Sequence, residues 1–238
     1  MNPPRSGRFD HQLTFDLPHR AALGRDDFLV SSANHQAVAM IDRWPDWLNP
    51  GLILIGPPGS GKTHLAEVWR SRSVARMCSA ADLAVAEVPA LLAQGAVVVE
   101  NLPGIALDQA ALFHLINLAR ETGGYLLLTS EAHPPSWNLS LNDLSSRLKA
   151  MPIASLGEPD DELLRGLLIK LFADRQIAVD EPIIAYMLTH MERSAAFARR
   201  IVETIDRTAL AERAEVTRSF VARLLRESAE RDVFPEDG

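Results

Sequence analysis

The sequence predicts an α/β fold: a parallel sheet covered by helices on both faces, followed by an all-helical unit. Three observations carry that expectation. Short apolar runs at 52–56, 96–101 and 125–130 alternate with segments of helical period, and strands buried on both faces read as continuous rather than alternating apolar runs. A glycine-rich loop separates the first run from the helix after it. From Pro159 onward every segment has helical period and no strand candidate remains.

The elements follow in order. Residues 1–25 carry Pro3, Pro4, Gly7, Pro18 and Gly24 without sustained periodicity, which predicts a flexible, poorly packed leader. Ala37, Val38, Met40, Ile41 and Trp44 recur at helical spacing, so a helix is expected from Asn34, as N-cap, to Trp47. LILIG is the first strand, and an amphipathic helix runs from Lys62 to about Arg72. AVVVEN and YLLLTS are two further strands, with Asp108 capping a helix through Leu112, Leu115, Ile116 and Ala119 between them. After the sheet, breaks at Pro182, near Ser194 and near Thr217 divide the tail into about four helices. Arginines and carboxylates are interspersed along them, as on solvated helix faces. The expected organisation is therefore a leader over 1–25, a nucleotide-binding α/β domain over 26–156 and a helical domain over 157–238.

Composition removes several classes. A chain of 238 residues, 47% apolar and 23% charged, is neither disordered nor fibrous. Its net charge of −7 and isoelectric point near 5.5 argue against a large basic nucleic-acid footprint, so DNA is expected to be reached only indirectly. A single cysteine, Cys78, forms no internal disulfide and is expected to pack at a strand. The N-terminus lacks a signal-peptide run and no stretch approaches the roughly 20 apolar residues of a membrane span. A cytoplasmic protein without membrane contact is expected.

Gly56-Pro57-Pro58-Gly59-Ser60-Gly61-Lys62-Thr63 satisfies G-x-x-x-x-G-K-[ST] between an apolar strand and a helix. Glycines let successive N–H groups turn toward phosphate oxygens, the helix start presents its positive end, Lys62 reaches the phosphates and the Thr63 hydroxyl ligates Mg²⁺. His64 follows in the first helical turn. Only three of the 24 basic residues are lysines, and one stands in this loop. Glu100, at the end of the AVVVEN strand, is either the acidic Mg²⁺ partner or an ordinary strand end. Asn101 next to it can orient a water but cannot take its proton, and lost general-base help costs on the order of 10² to 10⁴ in rate.

These motifs resemble the AAA+ branch of P-loop proteins and, within it, the DnaA-related family. Phe28-Leu29-Val30 and Ser31-Ser32-Ala33-Asn34 are similar to the family's entry segment, which flanks the adenine. Leu126 to Ser130 with Pro134-Pro135 resembles the sensor 1 strand and loop, which assigns Thr129 to the nucleotide. Asp143-Leu144-Ser145-Ser146-Arg147-Leu148 resembles the box whose arginine acts as a finger on a neighbouring subunit. Gln12-Leu13-Thr14-Phe15-Asp16-Leu17 is similar to the sliding-clamp peptide of the short members of that family.

The resemblance implies an AAA+ domain with a five-stranded parallel sheet and a small helical lid. It implies a protein that holds ADP or ATP with Mg²⁺ and has weak ATPase activity at most. Tethered by Gln12, Leu13, Phe15 and Leu17 to the DNA polymerase III sliding clamp (β subunit), it would stimulate hydrolysis by DnaA through Arg147 in trans, limiting re-initiation of replication. Alternatives stay open for each feature. The leader could dock Leu13 and Phe15 on its own core, and Arg147 could pair with Asp143 four residues earlier. An alignment through Ile205, Asp206 and Arg207 puts Ala196 at the family's sensor 2 arginine and leaves Arg193, one turn earlier, as its substitute. A self-hydrolysing ATPase that remodels or loads a partner, and a small-molecule kinase, are the competing functions. Self-association is left open.

Overall fold

The computed structural model describes residues 29–233, with side chains to 228. Five parallel strands, β1 (Gly51–Ile55), β2 (Arg76–Ser79), β3 (Ala96–Leu102), β4 (Tyr125–Ser130) and β5 (Ile153–Ser155), form one sheet in the order β2-β3-β4-β1-β5. The three strands expected from apolar runs are β1, β3 and β4. The two edge strands carry no such run. In β2 an arginine and half-buried Met77, Cys78 and Ser79 face a single neighbour, and β5 is three residues long.

Side-chain alternation sorts the strands onto two cores. Ile53, Ile55, Val97, Val99, Leu126 and Leu128 face Leu112, Leu115 and Ile116 of α4 (Gln109–Thr122) and Leu144 and Leu148 of α5 (Asn142–Lys149). Leu52, Leu54, Val98 and Leu127 face α1 (His35–Asp42) and α2 (Lys62–Ser73), where Trp69 is fully buried and stacks on Trp47 at 5.4 Å. A short α3 (Val88–Leu91) precedes β3. Asp108 caps α4 as expected, its Oδ1 accepting from the Ala111 N–H at 3.0 Å.

The first helix is shorter than its periodicity suggested. It ends at Asp42, because the next turn runs into Pro45 and Trp44 and Trp47 turn back onto Trp69. Asn34 stands at the N-cap position, yet its side chain bonds backward, accepting from Ser31 N–H at 2.9 Å and donating to the Leu29 carbonyl at 2.9 Å. It closes the entry turn instead of capping the helix.

Four helices complete the described chain: α6 (Asp161–Asp174), α7 (Glu181–His190), α8 (Ala195–Glu212) and α9 (Arg218–Val233). They share a separate core around Leu168, Phe172, Met187, Ile201 and Val221, which also takes in Leu29. Side-chain oxygens of Asp160, Asp180 and Ser194 accept the first free N–H groups of α6, α7 and α8. Arg165 pairs with Glu181 between α6 and α7. Asp160 also accepts from the Ser32 hydroxyl at 2.8 Å, tying the entry segment to α6.

Candidate functional site

The phosphate loop leaves the C-terminal end of β1, where parallel strands gather their carboxyl ends and helix α2 begins. Gly59 and Gly61 adopt φ of +74° and +96°, left-handed conformations that a side chain disfavours. At Gly56 a Cβ would lie 2.6 Å from Ser60 Oγ and 2.8 Å from the Leu156 carbonyl oxygen, so only glycine fits. Pro57 is half-buried and Pro58 exposed on the outer turn. Lys62 Nζ donates to the carbonyls of Gly56 at 2.8 Å and Pro57 at 3.0 Å. Burial lowers the Lys62 ammonium below the ordinary lysine range, opposed by the charges of Glu131 and Glu100. Thr63 is exposed at the start of α2.

Glu100 and Asn101 lie in a β-bulge. Val99 faces Leu128 and Leu102 faces Ser130, so the two residues between them oppose Thr129 alone. Asn101 takes φ +61°, tolerable for an asparagine, and its N–H donates to Thr129 Oγ1 at 3.1 Å. Glu100 Oε1 and Ser60 Oγ are fully buried with no hydrogen-bond partner. An orphaned carboxylate oxygen beside a lysine, a loop of glycines and a hydroxyl is a donor set that suits a hard cation and polyphosphate oxygens.

The helical unit reaches this loop directly. The Ala195 N–H, at the start of α8, donates to the Gly59 carbonyl at 3.3 Å, and a Cβ on Gly59 would lie 2.5 Å from Ser194 Cβ. One turn on, Arg199 Nη2 lies 3.1 Å from His64 Nδ1. Arg193, the sequence candidate, instead pairs with Asp161 at 2.7 Å, with half its side chain exposed. Its position before Ser194 puts it outside α8, whereas Arg199 projects from the helix toward the loop. Arg199 and Glu131 are the two charged groups of the site that sequence reasoning passed over.

Arg147 is elsewhere. It lines a cavity with Pro50, Gly51 and Leu126, at the N-terminal ends of β1 and β4. That is the end of the sheet opposite the phosphate loop, roughly 15 Å away along β1. Its guanidinium lies over the Phe113 ring at 5.1 Å, and among the described residues it forms no ion pair, with Asp143 or any other acid. Cys78 sits half-buried in β2, its thiol pushed to about 11 by burial and by Asp82. Among the described residues no cluster of His, Cys, Asp and Glu forms a metal site of its own, and no helix is long and apolar enough to cross a membrane. Phe28 and the peptide residues Gln12, Leu13, Phe15 and Leu17 lie outside the described residues.

No protein-family profile matches the chain, and no curated protein does. Solved structures do. Domain III of the Thermotoga maritima replication initiation protein DnaA superposes with a TM-score of 0.69 at 17% identity, over 85% of this chain and 95% of that one. The chain has the fold of DnaA domain III. The replication initiator DnaA bound to AMPPCP and single-stranded DNA superposes at TM-score 0.63 and 20% identity, over 87% of this chain and 68% of that one. The Thermotoga maritima RuvB Holliday junction branch migration motor follows at TM-score 0.62 and 15% identity, over 81% of this chain. The present chain spans 65% of that RuvB chain, just under two thirds of its length.

Proposed function

We propose that this chain holds a nucleotide in its own phosphate loop and uses Arg147 on the ATP of a partner, as an Hda-type regulator of DnaA. The observation that carries the reading is the placement of Arg147 at the sheet end opposite its own loop, half-buried and without a carboxylate partner among the described residues. A guanidinium there cannot serve the Lys62 loop. Supplied to a transferring phosphoryl group from another molecule, an arginine is worth about 10³ to 10⁵ in rate.

The nucleotide is ADP or ATP. Main-chain N–H groups from Gly59 to Thr63, with Lys62, would hold its phosphates, Thr129, His64 and Arg199 would frame the rest of the site, and Asn34 would act through the entry turn that it closes. Thr63 and Glu100 would hold Mg²⁺, which when bound supplies charge neutralisation between phosphate oxygens. The orphaned Glu100 Oε1 and Ser60 Oγ support that assignment. Asn101 cannot act as a base, which supports slow turnover in cis. Helices α6–α9 would then act as a lid whose seat on Gly59 depends on the loop. The AAA+ fold shared with nucleotide-bound DnaA supports the same reading.

Gln12, Leu13, Phe15 and Leu17 are proposed as the peptide that tethers the protein to the sliding clamp, so DNA is met indirectly. Tethering both partners to one clamp raises their mutual concentration toward millimolar without a strong direct interface. The test is DnaA–ATP turnover on clamp-loaded DNA with and without this protein. Stimulation is expected with the unmodified chain and lost with Arg147→Ala; stimulation retained by that variant overturns the role in trans. In parallel, Gln12→Ala with Leu13→Ala should abolish clamp capture in a pull-down.

A further inference from the structure

The wall that carries Arg147 also carries a cavity of about 620 Å³. Its lining includes Leu48, Ile116, Leu126 and Met151 on the apolar side and Arg120 and Arg147 on the charged side. Ile116, Leu126 and Met151 are core residues with almost no exposure, whereas Leu48 stands at 98% exposure. A leucine left in water beside an apolar-floored hollow is surface that association would bury. The hollow depends on Gly51: a Cβ there would lie 2.8 Å from Met151 Sδ and displace that side chain.

The electrostatics point the same way. Arg120 and Arg147 have no carboxylate partner among the described residues, and Asp143 is the single acid on the lining. The cavity therefore presents an excess of positive charge around an apolar seat, which is complementary to an apolar side chain flanked by a carboxylate. If Arg147 meets a partner's triphosphate, the partner must lay its phosphate edge over this wall. The present chain shows what such an edge offers: Ile105 is fully exposed on the loop that follows Glu100.

We propose that the Leu48 cavity is the seat that docks and selects the partner of Arg147. It takes an apolar side chain and neighbouring carboxylate from the phosphate edge of the ATP-loaded protein on which Arg147 acts. This inference rests on the trans reading above. Leu48 binds, Arg120 steers and Arg147 reacts, so the three should separate in a single experiment.

The probe is full-length DnaA loaded with AMPPCP, its binding to the full chain followed by fluorescence anisotropy, together with stimulated DnaA–ATP turnover on clamp-loaded DNA. Leu48→Asp should weaken binding at least tenfold and raise the half-maximal concentration for stimulation by the same factor, with the plateau rate unchanged; Leu48→Met should restore both. Arg120→Gln should weaken binding and flatten its salt dependence. Because Leu48 is fully solvated, its substitution leaves the fold intact. Unchanged binding and half-maximal concentration with Leu48→Asp overturn the seat and leave the finger standing. Binding that is weakened by Leu48→Asp but never stimulates turnover upholds the seat and overturns the finger. No binding by the unmodified chain overturns both, and self-association lost in Leu48→Asp with DnaA binding unchanged assigns the seat to a second copy and overturns the partner proposed here.

Discussion

Arg199 Nη2 and His64 Nδ1 meet at 3.1 Å, joining the second turn of α8 to the first turn of α2. The arginine is always a donor, so the imidazole nitrogen that faces it accepts. This contact and the Ala195–Gly59 hydrogen bond are two links between the helical unit and the phosphate loop.

Arg199→Ala should weaken ADP binding about tenfold, the effect of losing one charge-assisted contact at a partly exposed site. Isothermal titration calorimetry reads it directly. Arg193→Ala, which removes only the pair with Asp161, should leave the affinity within twofold. Equal losses in the two variants would show that Arg199 has no special part in the site.

Gly59→Ala combines a disfavoured φ with a Cβ 2.5 Å from Ser194 Cβ. The expected cost is about 1–3 kcal/mol, visible as a lower Tm. Nucleotide binding should fall with it, since relief requires either the loop or the start of α8 to move. Gly61→Ala is a control, because no atom lies within 4 Å of a Cβ there and only the φ is unfavourable.

Lys62 is the pH-sensitive element of the loop. Burial holds its folded pKa below the unfolded value of 10.5, opposed by Glu131 and Glu100. The folded chain therefore releases this proton before the unfolded chain does, and stability rises with pH between the lowered value and 10.5. Urea unfolding of the nucleotide-free protein should show that rise, and Lys62→Met should flatten it. The same variant should lose ADP binding by at least about 100-fold, as expected for the loss of a charge held against phosphate.

Asp160 behaves oppositely. Burial tends to raise its pKa, but the Leu163 N–H, the Ser32 and Ser31 hydroxyls and the Ala33 N–H outweigh it and hold the carboxyl below 3.8. Its stabilisation is full above 3.8 and lost as pH falls through the lower folded value. Asp160→Ala should cost about 1 kcal/mol at neutral pH and reduce the loss of stability below pH 4. An unchanged acid limb would rule out this link between the entry segment and α6.

Local pattern revealed the parts of the fold that local physics sets. β1, β3 and β4 were legible because the middle of each is buried on both faces, which leaves an unbroken apolar run there. Helices α4, α7 and α8 were legible from Asp108, Pro182 and Ser194 at their starts. β2 escaped because an edge strand needs only half its side chains buried, and β5 because three residues carry no period. The bulge at Glu100 and Asn101 was invisible for a different reason: it is a slip in register against β4, defined only by the neighbour. Arg199 was missed because the alignment through Ile205, Asp206 and Arg207 pointed to Ala196 and so to Arg193, one turn before it, while the seating of α8 on Gly59 decides which arginine faces the loop.

By itself the sequence determined the phosphate loop and its strand-loop-helix setting, since glycine positions, one lysine and apolar runs are fixed by neighbours within about ten residues. Only the tertiary structure decided at which end of the sheet each cation lies. Parallel strands gather their carboxyl ends, with Lys62, at one end of the sheet, and α5 carries Arg147 to the end where β1 and β4 begin. Sequence spacing records neither the direction of a crossover nor the face on which it returns, so the separation of Lys62 from Arg147 exists only once the sheet is assembled.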